Sequence, residues 1–177
     1  MNRQAVQTLK TYFGYDTFRE GQESVVESIL EHRDVLAIMP TGAGKSICYQ
    51  VPALMLSGIT IVISPLISLM QDQVKALNEA GIHAAFINSS LSESQISKAL
   101  YLAAGGRYKI IYVAPERLNS DTFINLLNNI DISMISIDEA HCVSQWGHDF
   151  RPSYREIANV ILNLKKRPIV SAFTATA

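Results

Sequence analysis

Short, nearly continuous apolar runs alternate along the chain with longer segments whose apolar residues recur every three or four positions. Runs of this length, rich in Val and Ile, are typical of strands buried on both faces of a parallel sheet. They predict strands at Val35–Met39, Thr60–Ser64, Ala84–Ile87, Lys109–Ala114, Met134–Asp138 and Ile169–Thr174.

The segments between these runs have helical spacing. Apolar residues face one side of Leu66–Glu79, and Gly81 follows as a stop signal. Ser92 and Gln95 resemble a capping box. Helices are predicted at Glu20–Glu31, from Lys45 onwards, at Leu66–Glu79, from Ser92 to Ala104, at Asp121–Asn129 and at Ser153–Leu164. This alternation predicts an α/β fold, a mostly parallel β-sheet with helices on both faces and ligands at the carboxyl ends of its strands.

The composition indicates one ordinary domain, because 177 residues that are 48% hydrophobic can bury a substantial core. No apolar run reaches the roughly 18 residues that cross a bilayer, and the N-terminus lacks the apolar segment of a signal peptide. We therefore expect a cytoplasmic protein without a membrane partner. The sequence does not determine the oligomeric state, and we favour a monomer. The net charge of −1 neither supports nor excludes nucleic-acid binding, since a neutral protein can carry a local basic stripe.

A glycine-rich segment between a predicted strand and a predicted helix carries the first candidate chemistry. Residues 39–46 read Met-Pro-Thr-Gly-Ala-Gly-Lys-Ser. Its glycines let backbone N–H groups approach a triphosphate, and the helix N-terminus adds positive potential. Lys45 would then reach the β- and γ-phosphates, and Ser46 would place its hydroxyl on Mg²⁺. The strict pattern has glycine where this chain has Met39, so the match is to a variant; the alternative is a chance glycine-rich turn.

An acidic box, Asp138-Glu-Ala-His141, follows another predicted strand. Asp138 would hold Mg²⁺, through water, and Glu139 would orient or activate the attacking water. An Asp-Glu pair after a strand is also common as a solvated loop start; the phosphate loop earlier in the same pattern favours the catalytic interpretation. His141 either hydrogen-bonds across the nucleotide cleft or caps the strand end. A zinc site made with Cys142 and His148 is disfavoured by the spacing and a missing ligand.

Aromatic residues follow this box. Trp146 and Phe150 are apolar rings in a polar loop, flanked by His148 and Arg151. Such rings can stack on bases while the arginine meets a phosphate. The alternative is that the rings anchor a long loop in the core. Further candidates for contact with a nucleic-acid backbone are Ser64, Ser68 and Thr174, although such side chains more often serve turns and caps.

Several segments together carry a family resemblance. They are Phe13-Gly-Tyr-Asp-Thr-Phe-Arg-Glu-Gly-Gln22, the phosphate loop, Val62–Val74, Tyr112–Leu118, Asp138–His141, Cys142-Val-Ser-Gln-Trp-Gly-His-Asp-Phe-Arg-Pro152 and Phe173–Ala177. The chain resembles the first RecA-like lobe of a superfamily-2 helicase, and specifically the RecQ family of DNA helicases. The resemblance covers essentially the whole chain, and its most specific part is the aromatic-rich loop.

The resemblance implies one RecA-like P-loop NTPase domain over residues 1–177 that uses ATP and Mg²⁺. It implies that Tyr15 stacks on adenine while Arg19 and Gln22 hydrogen-bond the base and neighbouring phosphates. The implied nucleotide-binding residues are Tyr15, Arg19, Gln22, Thr41, Gly42, Ala43, Gly44, Lys45 and Ser46. The implied catalytic residues are Lys45, Asp138, Glu139 and His141, with Ser46 and Asp138 as magnesium ligands.

Two positions depart from the family pattern. Glu20 stands where proline is usual, and Ala43 stands where glycine is usual. An acid suits the first turn of a helix, so we expect Glu20 to start the helix well. Ala43 should be tolerated if its φ is negative.

The resemblance further implies a parent ATP-dependent helicase moving 3′ to 5′ on single-stranded and duplex DNA, in repair and recombination. In such helicases a second RecA-like lobe supplies the arginine finger, and zinc-binding, winged-helix and C-terminal modules often follow. The last motif runs to Ala177 with no closing helix, which suggests a boundary inside a longer protein. We expect this chain alone to bind ATP–Mg²⁺ weakly and to lack unwinding activity. An RNA helicase lobe, a non-catalytic nucleotide- and DNA-binding module, and a nucleotide kinase are the alternatives.

Overall fold

A computed structural model of the chain describes residues 2–144 and 151–176. In chain order the elements are α1 (Arg3–Phe13), α2 (Gln22–Leu30), β1 (Val35–Ile38), α3 (Lys45–Met55), β2 (Ile59–Ile63), α4 (Ile67–Glu79), β3 (Ala84–Ile87), α5 (Glu93–Ala104), β4 (Ile110–Val113), α6 (Asp121–Asn129), β5 (Ile132–Ile137), α7 (Glu156–Leu162) and β6 (Ile169–Thr174). Short 3₁₀ turns lie at Pro115–Arg117, Ala140–Val143 and Pro152–Arg155.

The strands of this described part form one sheet in the order β1-β6-β5-β2-β4-β3, and each neighbouring pair is parallel. In the register, Ile38 lies opposite Thr174, and Ile137 lies opposite Ile63. The carboxyl ends of β1, β6 and β5 therefore meet at one edge. The phosphate loop and the acidic box leave the sheet at that edge, with one strand end between them.

Both faces of the sheet are covered, as a parallel sheet requires. Helices α2, α3 and α4 pack on one face, around Tyr49, Met134 and Phe173. Helices α5, α6 and α7 pack on the other face, around Ile135 and Phe123. Because successive strand residues point to opposite faces, the neighbours Met134 and Ile135 belong to different cores. The predicted fold class is confirmed.

The predicted elements agree closely with the observed ones. Each predicted strand lies within two residues of its observed bounds at both ends. The last predicted helix, Ser153–Leu164, is instead a 3₁₀ turn followed by α7, which ends at Leu162. Across residues 2–144 and 151–176 the helices fall short of the length and apolar character that crossing a bilayer requires.

Helix α2 begins later than predicted, which corrects the expectation for Glu20. The N-cap is Gly21, with a φ of 82°, and the first helical residue is Gln22. Glu20 therefore lies outside the first turn, and the acid that complements the helix dipole is Glu23.

Helix α1 has no counterpart among the predicted helices. The Asn2 side chain caps it by accepting hydrogen bonds from the N–H groups of Gln4 and Ala5, each at 3.1 Å. Leu9 is buried, in a small cluster shared with α2 and α3. The cap and the four-residue spacing of Ala5 and Leu9 were the available signals. The helix leads directly into the segment around Tyr15.

Candidate active site

The phosphate loop has the backbone that its glycines allow. Gly42 and Gly44 have φ values of 82° and 76°, which residues with a side chain rarely adopt. Ala43 has no positive φ, so alanine is tolerated there, as expected. Helix α3 begins at Lys45 without a side-chain cap at Gly44. The first turn of α3 is therefore suited to an anion.

The Lys45 side chain reaches back from the start of α3 to the end of β1. Its ammonium group donates a hydrogen bond to the Met39 carbonyl at 3.2 Å. It is also close enough to Asp138 to favour the charged form of that carboxyl group. The fold thus brings together a lysine and an aspartate that lie far apart in the sequence.

Asp138 is a buried carboxylate at the end of β5. The side chain is only 8% exposed, and its Oδ1 accepts a hydrogen bond from the Glu139 N–H at 3.0 Å. Burial raises the pKa of Asp138, and the neighbouring charge of Glu139 raises it further. The Glu139 N–H, Lys45 and His141 act in the opposite direction. The protein's own groups therefore compensate the negative charge only in part.

The chain turns sharply after Asp138. Glu139 has φ 52° and ψ 47°, a left-handed conformation that is strained for a residue with a side chain. One Glu139 carboxylate oxygen lies 3.4 Å from Nδ1 of His141. The same nitrogen lies 3.0 Å from Oγ1 of Thr174, at the end of β6. His141 thus connects the acidic box with the neighbouring strand.

A cavity of about 390 Å³ opens beside the phosphate loop, within the usual size range of small-molecule sites. Tyr15, Arg19 and Gln22 line it together with Ser46. Tyr15 is half exposed, so its ring face is available for stacking. The segment predicted to bind adenine and the phosphate loop therefore share one cavity.

In this cavity Gln22 and Arg19 are hydrogen-bonded to the loop itself. The Gln22 amide nitrogen donates to the carbonyls of Ala43 and Gly44 at 3.1 and 3.0 Å, and its Oε1 accepts from the Arg19 N–H at 2.8 Å. The Arg19 guanidinium donates to the Gly42 carbonyl at 2.9 Å. Contact of these two side chains with a base stays a prediction. Both N–H donors of the Gln22 amide are used on loop carbonyls, so a hydrogen bond from Gln22 to a base would replace one of them, whereas the Arg19 guanidinium has further N–H donors.

The candidates for DNA contact are not all accessible. Ser64 and Thr174 are 1% and 5% exposed, and the Thr174 hydroxyl donates to the Thr176 carbonyl at 2.8 Å. Ser68 is exposed on the first turn of α4, and Arg151 is partly exposed. In this conformation Ser64 and Thr174 are buried at the ends of β2 and β6, where solvent does not reach them. Three further predicted residues lie outside the described residues: Trp146, His148 and Phe150.

Three residues near the site were not predicted. Gln50 and Gln73 line the cavity and are joined by a hydrogen bond of 2.7 Å from the Gln50 amide nitrogen to Gln73 Oε1. Tyr154 donates from its hydroxyl to the Asp138 carbonyl at 2.8 Å. A polar Gln50 inside the apolar run Ile47–Val51 was the available signal; the partner of Tyr154 has no local signal.

The residues at this edge fit ATP and Mg²⁺. Ser46 and Asp138 offer a hydroxyl and a carboxylate, the hard oxygen ligands that Mg²⁺ prefers. The described residues contain no group of three or more His, Cys, Asp or Glu placed to hold a metal. Mg²⁺ is usually held by one or two carboxylates together with substrate phosphates, so this sparse set is compatible with it.

A parallel sheet whose carboxyl edge carries a glycine phosphate loop beside an Asp-Glu turn defines a RecA-like P-loop domain. A family model described as "DEAD/DEAH box helicase" matches residues 19–177. The chain belongs to that family.

Within the family, the predicted resemblance to RecQ helicases is confirmed. The chain is 56% identical over its whole length to "ATP-dependent DNA helicase RecQ" of Bacillus subtilis strain 168, and covers 30% of that protein. It is 47% identical to the Haemophilus influenzae protein of the same name, over 98% of the chain and 28% of that protein. The chain thus spans about 30% of the length of these relatives.

Solved structures of low identity show the same fold. A hypothetical ATP-dependent RNA helicase from Sulfolobus tokodaii superposes with a TM-score of 0.74 at 20% identity. The match covers 99% of this chain and 51% of that one.

Replacing Asp138 by Asn should stabilise the ligand-free chain. The raised pKa means that the native state binds a proton more tightly than the unfolded state, so stability falls as the pH rises through the folded pKa. Asn removes this cost, and we expect a gain on the order of 0.5–2 kcal/mol at neutral pH that shrinks as the pH is lowered. Thermal unfolding in the presence of EDTA, from neutral to acidic pH, measures this gain in stability.

The exposed Asp72 provides the control, because Asp72→Asn removes a carboxylate that faces solvent. The expectation fails if Asp138→Asn is no more stable than the control at neutral pH.

Proposed function

We propose that this chain is the ATP-binding motor lobe of an ATP-dependent DNA helicase, comprising residues 1–177 of a longer parent protein. The observation that carries the proposal is the meeting of Lys45 and the buried Asp138 at one sheet edge, beside a glycine loop in the left-handed conformation. The similarity to relatives named as DNA helicases supports the nucleic-acid substrate.

Each residue of the edge has a role in this mechanism. The glycine loop and the first turn of α3 hold the phosphates, while Lys45 leaves the Met39 carbonyl for the β- and γ-phosphate oxygens. Ser46 and Asp138 would hold Mg²⁺, and the ion would offset the charge that develops on the phosphates. Glu139 accepts the proton of the attacking water or orients that water.

The adenine segment ties base binding to the phosphate loop. The ring of Tyr15 stacks on adenine, and Arg19 contacts the nucleotide through its guanidinium. Gln22 exchanges a hydrogen bond with a loop carbonyl for a contact with the nucleotide. Because these bonds hold the loop in its present shape, base recognition and loop rearrangement occur together.

Coupling to DNA runs through the aromatic-rich loop Cys142–Pro152. We propose that Trp146 and Phe150 stack on single-stranded bases, while His148 and Arg151 meet the backbone. Ser68 is exposed and can contact the DNA backbone directly. Ser64 and Thr174 are buried, so their strand ends must rearrange before these side chains can contact DNA.

The parent protein supplies what this lobe needs for turnover. A second RecA-like lobe provides an arginine finger, an element worth about 10³–10⁵ in rate in related phosphoryl-transfer sites. We further propose 3′ to 5′ movement on single-stranded and duplex DNA in repair and recombination, by a cytoplasmic monomer.

The phosphate-loop lysine and the acidic-box glutamate should separate binding from hydrolysis in the full-length protein. Lys45→Ala removes a charge-assisted contact worth about 1.5–3 kcal/mol, so ATP affinity should fall roughly ten- to hundredfold. Glu139→Gln should retain nucleotide binding but lower turnover by about 10²–10⁴. Equilibrium binding of a fluorescent ATP analogue and steady-state phosphate release measure the two effects.

The exposed Lys75 on α4 gives the matched control, since Lys75→Ala removes a surface lysine from the same domain. Full turnover by Glu139→Gln would contradict its role, and unchanged ATP affinity of Lys45→Ala would contradict the phosphate site.

The isolated 177-residue chain should show almost no hydrolysis, because the arginine finger is supplied by another lobe. We expect weak binding of ATP–Mg²⁺ and turnover about 10³-fold or more below that of the parent protein, with or without DNA. Efficient DNA-stimulated hydrolysis by the chain alone would contradict the need for a second lobe.

Trp146→Ala should weaken the stimulation of ATP hydrolysis by DNA in the parent protein. The loss of a base stack worth about 1–3 kcal/mol predicts that DNA-stimulated turnover falls roughly five- to hundredfold. Phosphate release with single-stranded DNA and with RNA measures this, against Tyr101→Ala, which removes an exposed aromatic ring from α5. Equal stimulation of the wild type by RNA and DNA would favour an RNA helicase instead.

A further inference from the structure

The segment around the aromatic-rich loop is attached to the acidic box at both ends. On the outgoing side, the 3₁₀ turn Ala140–Val143 follows Glu139 directly. On the returning side, the Arg151 N–H donates to the Cys142 carbonyl at 2.9 Å, which closes the base of the loop. The next 3₁₀ turn, Pro152–Arg155, then brings Tyr154 back towards β5.

Tyr154 reaches the end of β5 through the core. The residue is 2% exposed and packs in the same cluster as Cys142. Its hydroxyl donates to the backbone carbonyl of Asp138 at 2.8 Å, sixteen residues earlier in the chain. Burial raises the pKa of this phenol, so the hydroxyl remains a donor.

One peptide unit is consequently held from both sides. Tyr154 holds the carbonyl of the Asp138–Glu139 peptide, while the N–H of the same peptide donates to the Asp138 carboxylate at 3.0 Å. This peptide leads into the left-handed conformation of Glu139. Its orientation therefore fixes where both acidic side chains of the box can point.

We propose that Tyr154 is a positioning residue for DNA-stimulated ATP hydrolysis, its hydroxyl fixing the Asp138–Glu139 peptide and linking that peptide to the returning end of the aromatic-rich loop. The inference rests on the proposed function, and adds a residue to its site. A shift of the Asp138 carbonyl keeps its hydrogen bond only if the turn Pro152–Arg155 follows. The loop base moves with that turn, because the Tyr154 N–H donates to the Arg151 carbonyl at 3.0 Å.

The test is Tyr154→Phe in the full-length protein, which removes the hydroxyl and keeps the ring. We expect the ratio of DNA-stimulated to DNA-free turnover to fall roughly tenfold, with DNA-free turnover within about twofold of the wild type. A nonhydrolysable ATP analogue should also lose most of its effect on the affinity for single-stranded DNA.

A readout without activity is amide hydrogen exchange in the nucleotide-free protein. Without the hydroxyl, the N–H groups of Glu139 and Arg151 should exchange at least about tenfold faster, because the peptide and the loop base lose their common anchor.

Tyr112→Phe is the matched control. Tyr112 is equally buried, and its hydroxyl lies 3.1 Å from that of Tyr49 and accepts a hydrogen bond from Gln50. Its loss therefore costs a comparable buried hydrogen bond that does not involve the Asp138–Glu139 peptide. It should lower the melting temperature similarly and, at saturating ATP, keep the wild-type stimulation ratio, because the Asp138–Glu139 peptide keeps both of its hydrogen bonds.

The proposal is overturned if Tyr154→Phe keeps the wild-type stimulation ratio, or if its exchange at Glu139 and Arg151 matches that of the wild type. It is also overturned if DNA-free and DNA-stimulated turnover fall by the same factor, which a purely structural tyrosine would produce. Absence of DNA stimulation in the wild type overturns the proposed function instead, and the exchange rates then still decide whether Tyr154 holds this peptide.

Discussion

The parallel pairing of β1, β6 and β5 is the constraint on which the candidate chemistry depends. It sets Ile38 beside Thr174, and it sets Ile137 beside Ala172 on the next strand. The phosphate loop and the acidic box leave this edge with only the end of β6 between them. A shift of one residue in either pairing would turn the side chains of that strand to the opposite face. The two cores therefore hold the register, and through it the distance between lysine and aspartate.

The rest of the domain holds Asp138 and Glu139 in energetically unfavourable arrangements. Asp138 keeps a carboxylate in a buried position that raises its pKa, and Glu139 adopts a strained left-handed backbone. Neither feature stabilises the chain, and such costs concentrate where ligands bind. A cation and phosphates would relieve the electrostatic part. The hydrogen bonds from Tyr154 and from the Glu139 N–H fix the orientation of the Asp138–Glu139 peptide.

Much of the fold was predictable because each strand is a local apolar run bounded by turn residues. The predictions missed the whole of α1 and misplaced the start of α2. The start of α2 is set by Gly21, the N-cap residue, which has a left-handed conformation. The acid at position 20 gives no sign of this. Helix α1 carries its own cap at Asn2, a signal that is readable but brief.

By itself the sequence determined the alternation of strands and helices, the phosphate loop and the acidic box, because each of these depends on residues that are neighbours in the chain. Tertiary structure decided the partners. It buried Ser64 and Thr174. It also placed the Gln22 amide within hydrogen-bond distance of the loop carbonyls, and the Tyr154 hydroxyl within hydrogen-bond distance of the Asp138 carbonyl. These contacts connect residues that the sheet order and core packing bring together from distant positions. A local pattern of apolar and polar residues does not specify these contacts, because the free energy that selects them comes from packing across the whole domain.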